Sequence, residues 1–156
     1  MKISEHITYQ EGVRSDTATR LQIENKPNEY ELSNMVITAE KIFEPLREWV
    51  GGPIKVTSFF RCEELNKAIG GAKRSQHREG RAMDLDDTFG HKTNAEMYHY
   101  IKENLNFDQL VWEFGTDENP DWIHVSYVSD SENRGRCLLA YRNNGKTAYK
   151  DITKKK

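Results

Sequence analysis

Cysteine is scarce in this chain. Cys62 and Cys137 are the two among 156 residues, and they form no CxxC pair. A disulfide scaffold and a CxxC redox or metal motif are thereby excluded, and both read as free thiols, Cys137 buried in the apolar stretch Cys137-Leu-Leu-Ala140. Long apolar runs are also missing. Nothing approaches the roughly 20 consecutive apolar residues of a membrane span, and Met1-Lys-Ile-Ser-Glu-His6 has no signal-peptide stretch. The expectation is a soluble chain made in the cytoplasm, without a membrane partner, that stays there unless something exports it. Excess charge of one sign is lacking too. The 23 basic and 25 acidic side chains leave a net charge of −2, which argues against nucleic acid as the partner. Repeats, linkers and low-complexity segments are absent.

What is present suffices for one domain with a core. Hydrophobic residues make up 36% of the chain and charged ones 31%; the apolar residues cluster, which argues against disorder. The expected organisation is a single domain over 1–156, with an irregular segment over 1–30 and a basic, solvated tail over 150–156. Within the first segment, Ser15-Asp16-Thr17 caps a short helix that Lys26-Pro27-Asn28 ends. Met35, Val36, Ala39, Ile42, Phe43, Leu46 and Val50 recur at helical spacing behind Ser33 or Asn34 as N-cap. Pro45 predicts a kink or break inside that helix. Strands are predicted over 54–60, 82–86, 108–113, 122–128 and 136–141, and short helices over 63–69 and 94–105, with the third and fourth strands paired as a hairpin. This order predicts an α+β fold, with helices on one face of a mainly antiparallel sheet.

One run carries more chemistry than any other: Ser75-Gln-His77-Arg-Glu-Gly80-Arg-Ala82-Met-Asp84. It is answered by Asp121-Trp-Ile-His124-Val-Ser126. Hydrolytic zinc sites use three protein ligands, usually His with one carboxylate, and keep the fourth position open. His77, Asp84 and His124 supply that count. The spacing of His77 and Asp84 does not suit one helix face, where two ligands stand four apart. It suits a loop that bends at Gly80 and feeds a strand carrying Asp84. Asp84, Asp86 and Asp87 also read as an acidic loop, or as oxygen ligands for calcium or magnesium. Two imidazoles and one carboxylate favour zinc. His6, His91 and His99 have no supporting context.

These blocks, with Thr57-Ser-Phe-Phe-Arg61-Cys-Glu-Glu-Leu-Asn66 and Gly70-Gly71, resemble the zinc D,D-peptidase family. That family includes D-Ala-D-Ala carboxypeptidases, D-Ala-D-Ala dipeptidases and phage peptidoglycan endolysins, and shares its fold with the hedgehog signalling domain. Its motif S-x-H-x-x-G-x-A-x-D is matched at every fixed position from Ser75 to Asp84, and its W-x-H strand by Trp122-Ile-His124. The resemblance covers roughly 53–141. It implies a hedgehog/D,D-peptidase-like fold, one zinc ion per chain on His77, Asp84 and His124, and a peptidoglycan peptide as substrate; a monomer is expected.

The resemblance also implies roles. A carboxylate three residues before the last ligand acts as base, which puts Asp121 first; it is shorter than the Glu of several members. Glu113 is the rival, because the hairpin sets it across from the His124 strand and a carboxylate in an apolar strand needs a reason. Arg61 is assigned to the substrate or the developing oxyanion, a task that suits a planar guanidinium. Ser75 and Gln76 either bond to substrate or shape the loop. Cys62 stands where family members carry Ser or Pro, as a packing residue or a weak extra ligand. The leading expectation is a zinc metallopeptidase cutting peptidoglycan stem peptides beside D-amino acids, as a carboxypeptidase or an endolysin-type endopeptidase that a holin releases to the wall. The alternatives are a cytoplasmic D-Ala-D-Ala dipeptidase, a non-catalytic zinc-binding interaction module, and, most weakly, a nucleic-acid binder using Lys73, Arg74, Arg78, Arg81 and the closing Lys154-Lys155-Lys156 tail.

Overall fold

A computed structural model describes residues 1–154. The fold is α+β, with a six-stranded, mostly antiparallel sheet covered by helices on one face. The chain opens with a small antiparallel pair, β1 (Lys2–Ser4) and β2 (Ile7–Thr8). Helices α1 (Tyr9–Val13) and α2 (Asp16–Leu21) follow. The expectation of an irregular segment over 1–30 is therefore corrected. Strands of three and two residues are too short to display alternation, yet Ile3 and Ile7 are core residues. Ser15 caps α2 as expected, and the helix ends at Gln22, before Pro27.

Helix α3 (Glu29–Thr38) starts earlier than Ser33. Asn28 and Glu31 form a capping box: the Asn28 side chain accepts from the Glu31 N–H at 2.8 Å, and the Glu31 carboxylate accepts from the Asn28 N–H at 2.9 Å. The helix then widens into a π segment (Ala39–Phe43) before α4 (Glu44–Val50), where Pro45 stands in the first turn. Proline cannot donate the next helical hydrogen bond and crowds the carbonyl four residues back. The wider turn accommodates that loss, so the expected break is a π bulge.

The main sheet contains β3 (Lys55–Ser58), β4 (Ala82–Asp86), β5 (Gln109–Glu113), β6 (Trp122–Ser126), β7 (Arg136–Asn143) and β8 (Lys146–Asp151). Their spatial order is β3-β4-β6-β5-β7-β8, antiparallel except between β5 and β7. Between strands lie α5 (Glu63–Ala68), a 3-10 turn (Gln76–Glu79) and α6 (Asn94–Asn104). Strand β8 is a correction to the basic tail expected over 150–156. It returns from β7 through Asn144-Gly145, both at positive φ, a tight-hairpin signal already present in the sequence. Lys155 and Lys156 of that tail lie outside the described residues.

Alternate residues of the central strands part company. Met83, Leu85, Leu110, Trp112, Ile123 and Val125 join Met35, Ile42, Leu46, Met97 and Ile101 in the core. Asp84, Val111, Glu113 and His124 face the other way, into a cleft on the open face. No helix among the described residues is long and apolar enough to cross a membrane.

Candidate metal centre

Neighbours across a sheet point to the same side, so the register builds the cleft floor in rows. Asp84 stands opposite His124, His124 opposite Val111, and Val111 opposite Leu138. The next row runs Trp122, Glu113, Ala140, Tyr149. The cleft measures about 770 Å³.

His77 reaches this floor from the 3-10 turn. The Ser75 hydroxyl caps the turn by accepting from the His77 N–H at 3.2 Å. Gly80 ends it at φ +75°, where an added Cβ would stand 2.5 Å from the Glu31 carbonyl oxygen. Only glycine permits that bend against α3. Asn34 donates to the Glu79 carbonyl at 2.9 Å and anchors the same corner. The His77 ring is 2% exposed. Its Nδ1 lies 2.7 Å from the Phe59 carbonyl oxygen, which can only accept. Nδ1–H therefore donates, and Nε2 is left with its lone pair toward the site.

That lone pair faces Asp84 Oδ1 at 3.3 Å, and His124 Nδ1 lies 3.0 Å from the same oxygen. Ligand atoms of all three residues lie within 4.8 Å of one another. Tetrahedral zinc with bonds of about 2.0–2.1 Å sets its ligand atoms roughly 3.3 Å apart, so the group fits such an ion in donor type and spacing. The other carboxylate oxygen, Oδ2, accepts from Arg61 Nη2 at 3.2 Å, while Arg61 Nε donates to Ser58 Oγ at 3.0 Å. Burial pushes the Asp84 carboxyl up, but the neighbouring imidazoles, with a hydrogen bond from His124 among them, outweigh it and hold the group well below the usual range. Burial pushes the His77 imidazole down, against the pull of Asp84, toward the neutral form that binds metals.

Glu113 is the other titratable group of the floor. It is 9% exposed, and burial pushes its carboxyl up to about 7, with His124 pulling down and Asp84 pushing up. Asp121 is not brought into the cleft. It is exposed, its N–H donates to the Glu113 carbonyl at 2.9 Å, and its own carbonyl accepts from Asn94 Nδ2 at 3.1 Å. Asp121 sits in the bend just before β6, whose first residue is Trp122. Of the two carboxylates expected as base, Glu113 lines the cleft and Asp121 is not among its lining residues.

Arg61 lines the cleft and is held by Asp84 and Ser58. Ser75 and Gln76 also line it, but both shape the loop: Ser75 as cap, Gln76 through its amide, which donates to Asp108 Oδ2 at 2.9 Å. Asp86 and Asp87 do not join Asp84. Asp86 accepts from Asn94 Nδ2 and Asp87 from the Gly90 N–H. Cys62 packs, half-buried, against the core and is not among the converging ligands. A second group, Glu5, His6 and Glu44, is largely exposed, and Glu44 is occupied by hydrogen bonds from Ser4 and His6.

Sequence reasoning missed the far wall: Arg134, Arg136, Leu138, Thr147 and Tyr149. The Asn144-Gly145 turn was the available signal, because recognising it pairs β8 with β7 and adds Thr147 and Tyr149 to the floor. Against known proteins, a family model described as Peptidase M15 matches residues 5–126, well over half of the chain. No curated protein matches the chain significantly.

Proposed function

The chain belongs to the Peptidase M15 family, and from that premise we propose that it is a zinc metallopeptidase hydrolysing peptide bonds beside D-amino acids in peptidoglycan stem peptides. The observation that carries this reading is the meeting of His77, Asp84 and His124 in one cleft, with the buried carboxyl of Glu113 in the adjoining row.

A zinc ion on these ligands supplies Lewis-acid polarisation of a carbonyl and eases the deprotonation of water. Glu113 acts as the base. As the water oxygen bonds to the scissile carbonyl carbon, Glu113 takes the water proton, and it returns that proton to the leaving nitrogen as the C–N bond breaks. A carboxyl titrating near 7 suits both halves of this exchange at neutral pH. Arg61 offers its remaining guanidinium N–H groups to the carbonyl oxygen as negative charge develops there. Phe59, through its carbonyl, holds the His77 ring in the required tautomer. A base already inside the cleft favours turnover over a non-catalytic zinc module.

The test is digestion of purified peptidoglycan with and without chelator, reading released fragments by mass spectrometry. Chelator-sensitive release of fragments ending beside a D-residue is expected, and their masses name the bond. Release that chelator leaves unchanged would overturn the zinc reading. Failure to cut either intact wall or soluble stem peptides would overturn the peptidase reading for this chain.

A further inference from the structure

The far wall of the cleft lies after the segment matched by the family model. Two guanidinium groups stand at the head of β7. Arg134 is held from behind by Asp108, a carboxylate only 1% exposed. Asp108 Oδ1 accepts from the Arg134 backbone N–H and from Nε, each at 3.0 Å, and Oδ2 accepts from Nη2 at 2.8 Å. Such a fork fixes the plane of the guanidinium. It uses two of the five side-chain N–H donors and leaves three. The Arg134 side chain is 53% exposed, so those donors remain reachable from the cleft it lines. Arg136 pairs with Asp151 at 3.2 Å, with both partners about half exposed, a pairing that a ligand displaces at little cost.

The position of this pair is set by register. Arg136 stands opposite Gln109, two residues along the sheet from the Val111–Leu138 pair beside His124. Two residues of strand span roughly 7 Å. In all, four arginines (Arg61, Arg74, Arg134 and Arg136) line the cleft, in a chain whose net charge is −2. Arg61, Arg134 and Arg136 each already face a carboxylate, so what the cleft offers an anion is the guanidinium N–H donors those pairs leave free.

We infer that Arg134, with Arg136 beside it, is a carboxylate-binding subsite, and that the substrate is a peptide carrying a free carboxylate well removed from the bond it presents to the His124 row, two strands across the sheet and at least two residues along it. That the ligand is a peptide rests on the proposed peptidase function; the subsite itself rests on the fork, the free donors and the register. Arg134 alone among the four is braced by a fully buried carboxylate, so its orientation exists before any ligand arrives. Pre-organisation of this kind lowers the ordering cost of binding.

The experiment uses the full chain loaded with zinc and a panel of short stem-type peptides containing D-residues. Each free carboxylate is converted in turn to the carboxamide, and Kd is measured by calorimetry alongside turnover. One conversion is expected to weaken binding about tenfold or more, and Arg134→Gln and Arg136→Gln are each expected to shrink that acid-to-amide ratio. A merely structural role for Arg134 would lower binding of acid and amide peptides alike. Arg136→Gln and the wild-type panel keep the test open should Arg134→Gln fold poorly. Equal affinity for every acid and its amide, or no binding of any peptide, overturns the subsite. A clear acid preference in Kd with no turnover of any peptide overturns the peptidase reading and leaves the subsite standing.

Discussion

The two faces of the central strands obey different rules. On the helix-covered face, Leu110, Ile123 and Val125 are fully buried among apolar side chains, and their contribution is burial without direction. On the open face, one residue away along the same strands, Asp84, Glu113 and His124 are partly or wholly removed from water with charges that need partners. Asp84 has them, in two histidines and Arg61. Glu113 does not have enough, and its raised carboxyl pKa records the shortfall. One face therefore stores stability, and the other holds groups whose electrostatics suit chemistry more than folding.

That contrast is sharpest when a ligand is removed. His77→Ala is expected to abolish both stoichiometric zinc and turnover while the chain stays folded, checked by elemental analysis, circular dichroism and peptide assay; full zinc occupancy in the variant would break the assignment. Next, Glu113→Gln is expected to cut kcat by roughly 10²–10⁴-fold with zinc retained. The same variant probes the stability of the metal-free protein. The folded-state pKa, about 7, lies above the unfolded value of 4.5, so the folded form binds the proton more tightly. The stabilisation from Glu113 is complete below the unfolded pKa and is lost as pH rises through about 7. On the order of 3 kcal/mol is at stake, and Glu113→Gln should flatten this part of the pH profile in chemical denaturation.

On the opposite face, Leu110→Ala is expected to cost about 2–5 kcal/mol of unfolding free energy, with zinc stoichiometry and kcat close to wild type under conditions where the variant is folded. A loss of zinc without loss of stability would break the separation between faces. The smallest effect is expected at Asp121→Asn, which touches neither face. Stability should change by less than about 0.5 kcal/mol and turnover should hold; a collapse of kcat would return the base to Asp121.

Much of this was legible in the chain. The alternation of Ala82-Met-Asp-Leu-Asp86 and Trp122-Ile-His-Val-Ser126 announced strands with one apolar face. The fixed glycine at position 80 announced a bend, which the close approach of α3 now accounts for. Other features were not legible because their signals are short or distant. Strands β1 and β2 are too brief to show a period, and the capping box of Asn28 and Glu31 lies ahead of the apolar repeat that marked α3. That Glu113 faces the cleft beside the His124 row depends on the pairing of β5 with β6, which spacing from His124 alone does not report for a residue on another strand.

Read by itself, the sequence determined what repeats locally along the chain: strand and helix periods, the bend at Gly80, and the residue types of a His-Asp-His site. Only the tertiary structure decided what depends on partners far apart in the chain. Register across β4, β6 and β5 brought Asp84, His124 and Glu113 to one floor. Burial raised one carboxyl while histidines and Arg61 held the other down. The return of β7 and β8 added the arginine wall. Propensity and periodicity act over a few residues, whereas desolvation and charge act through space, and so the site's donors are written in the chain while their electrostatics arise only on folding.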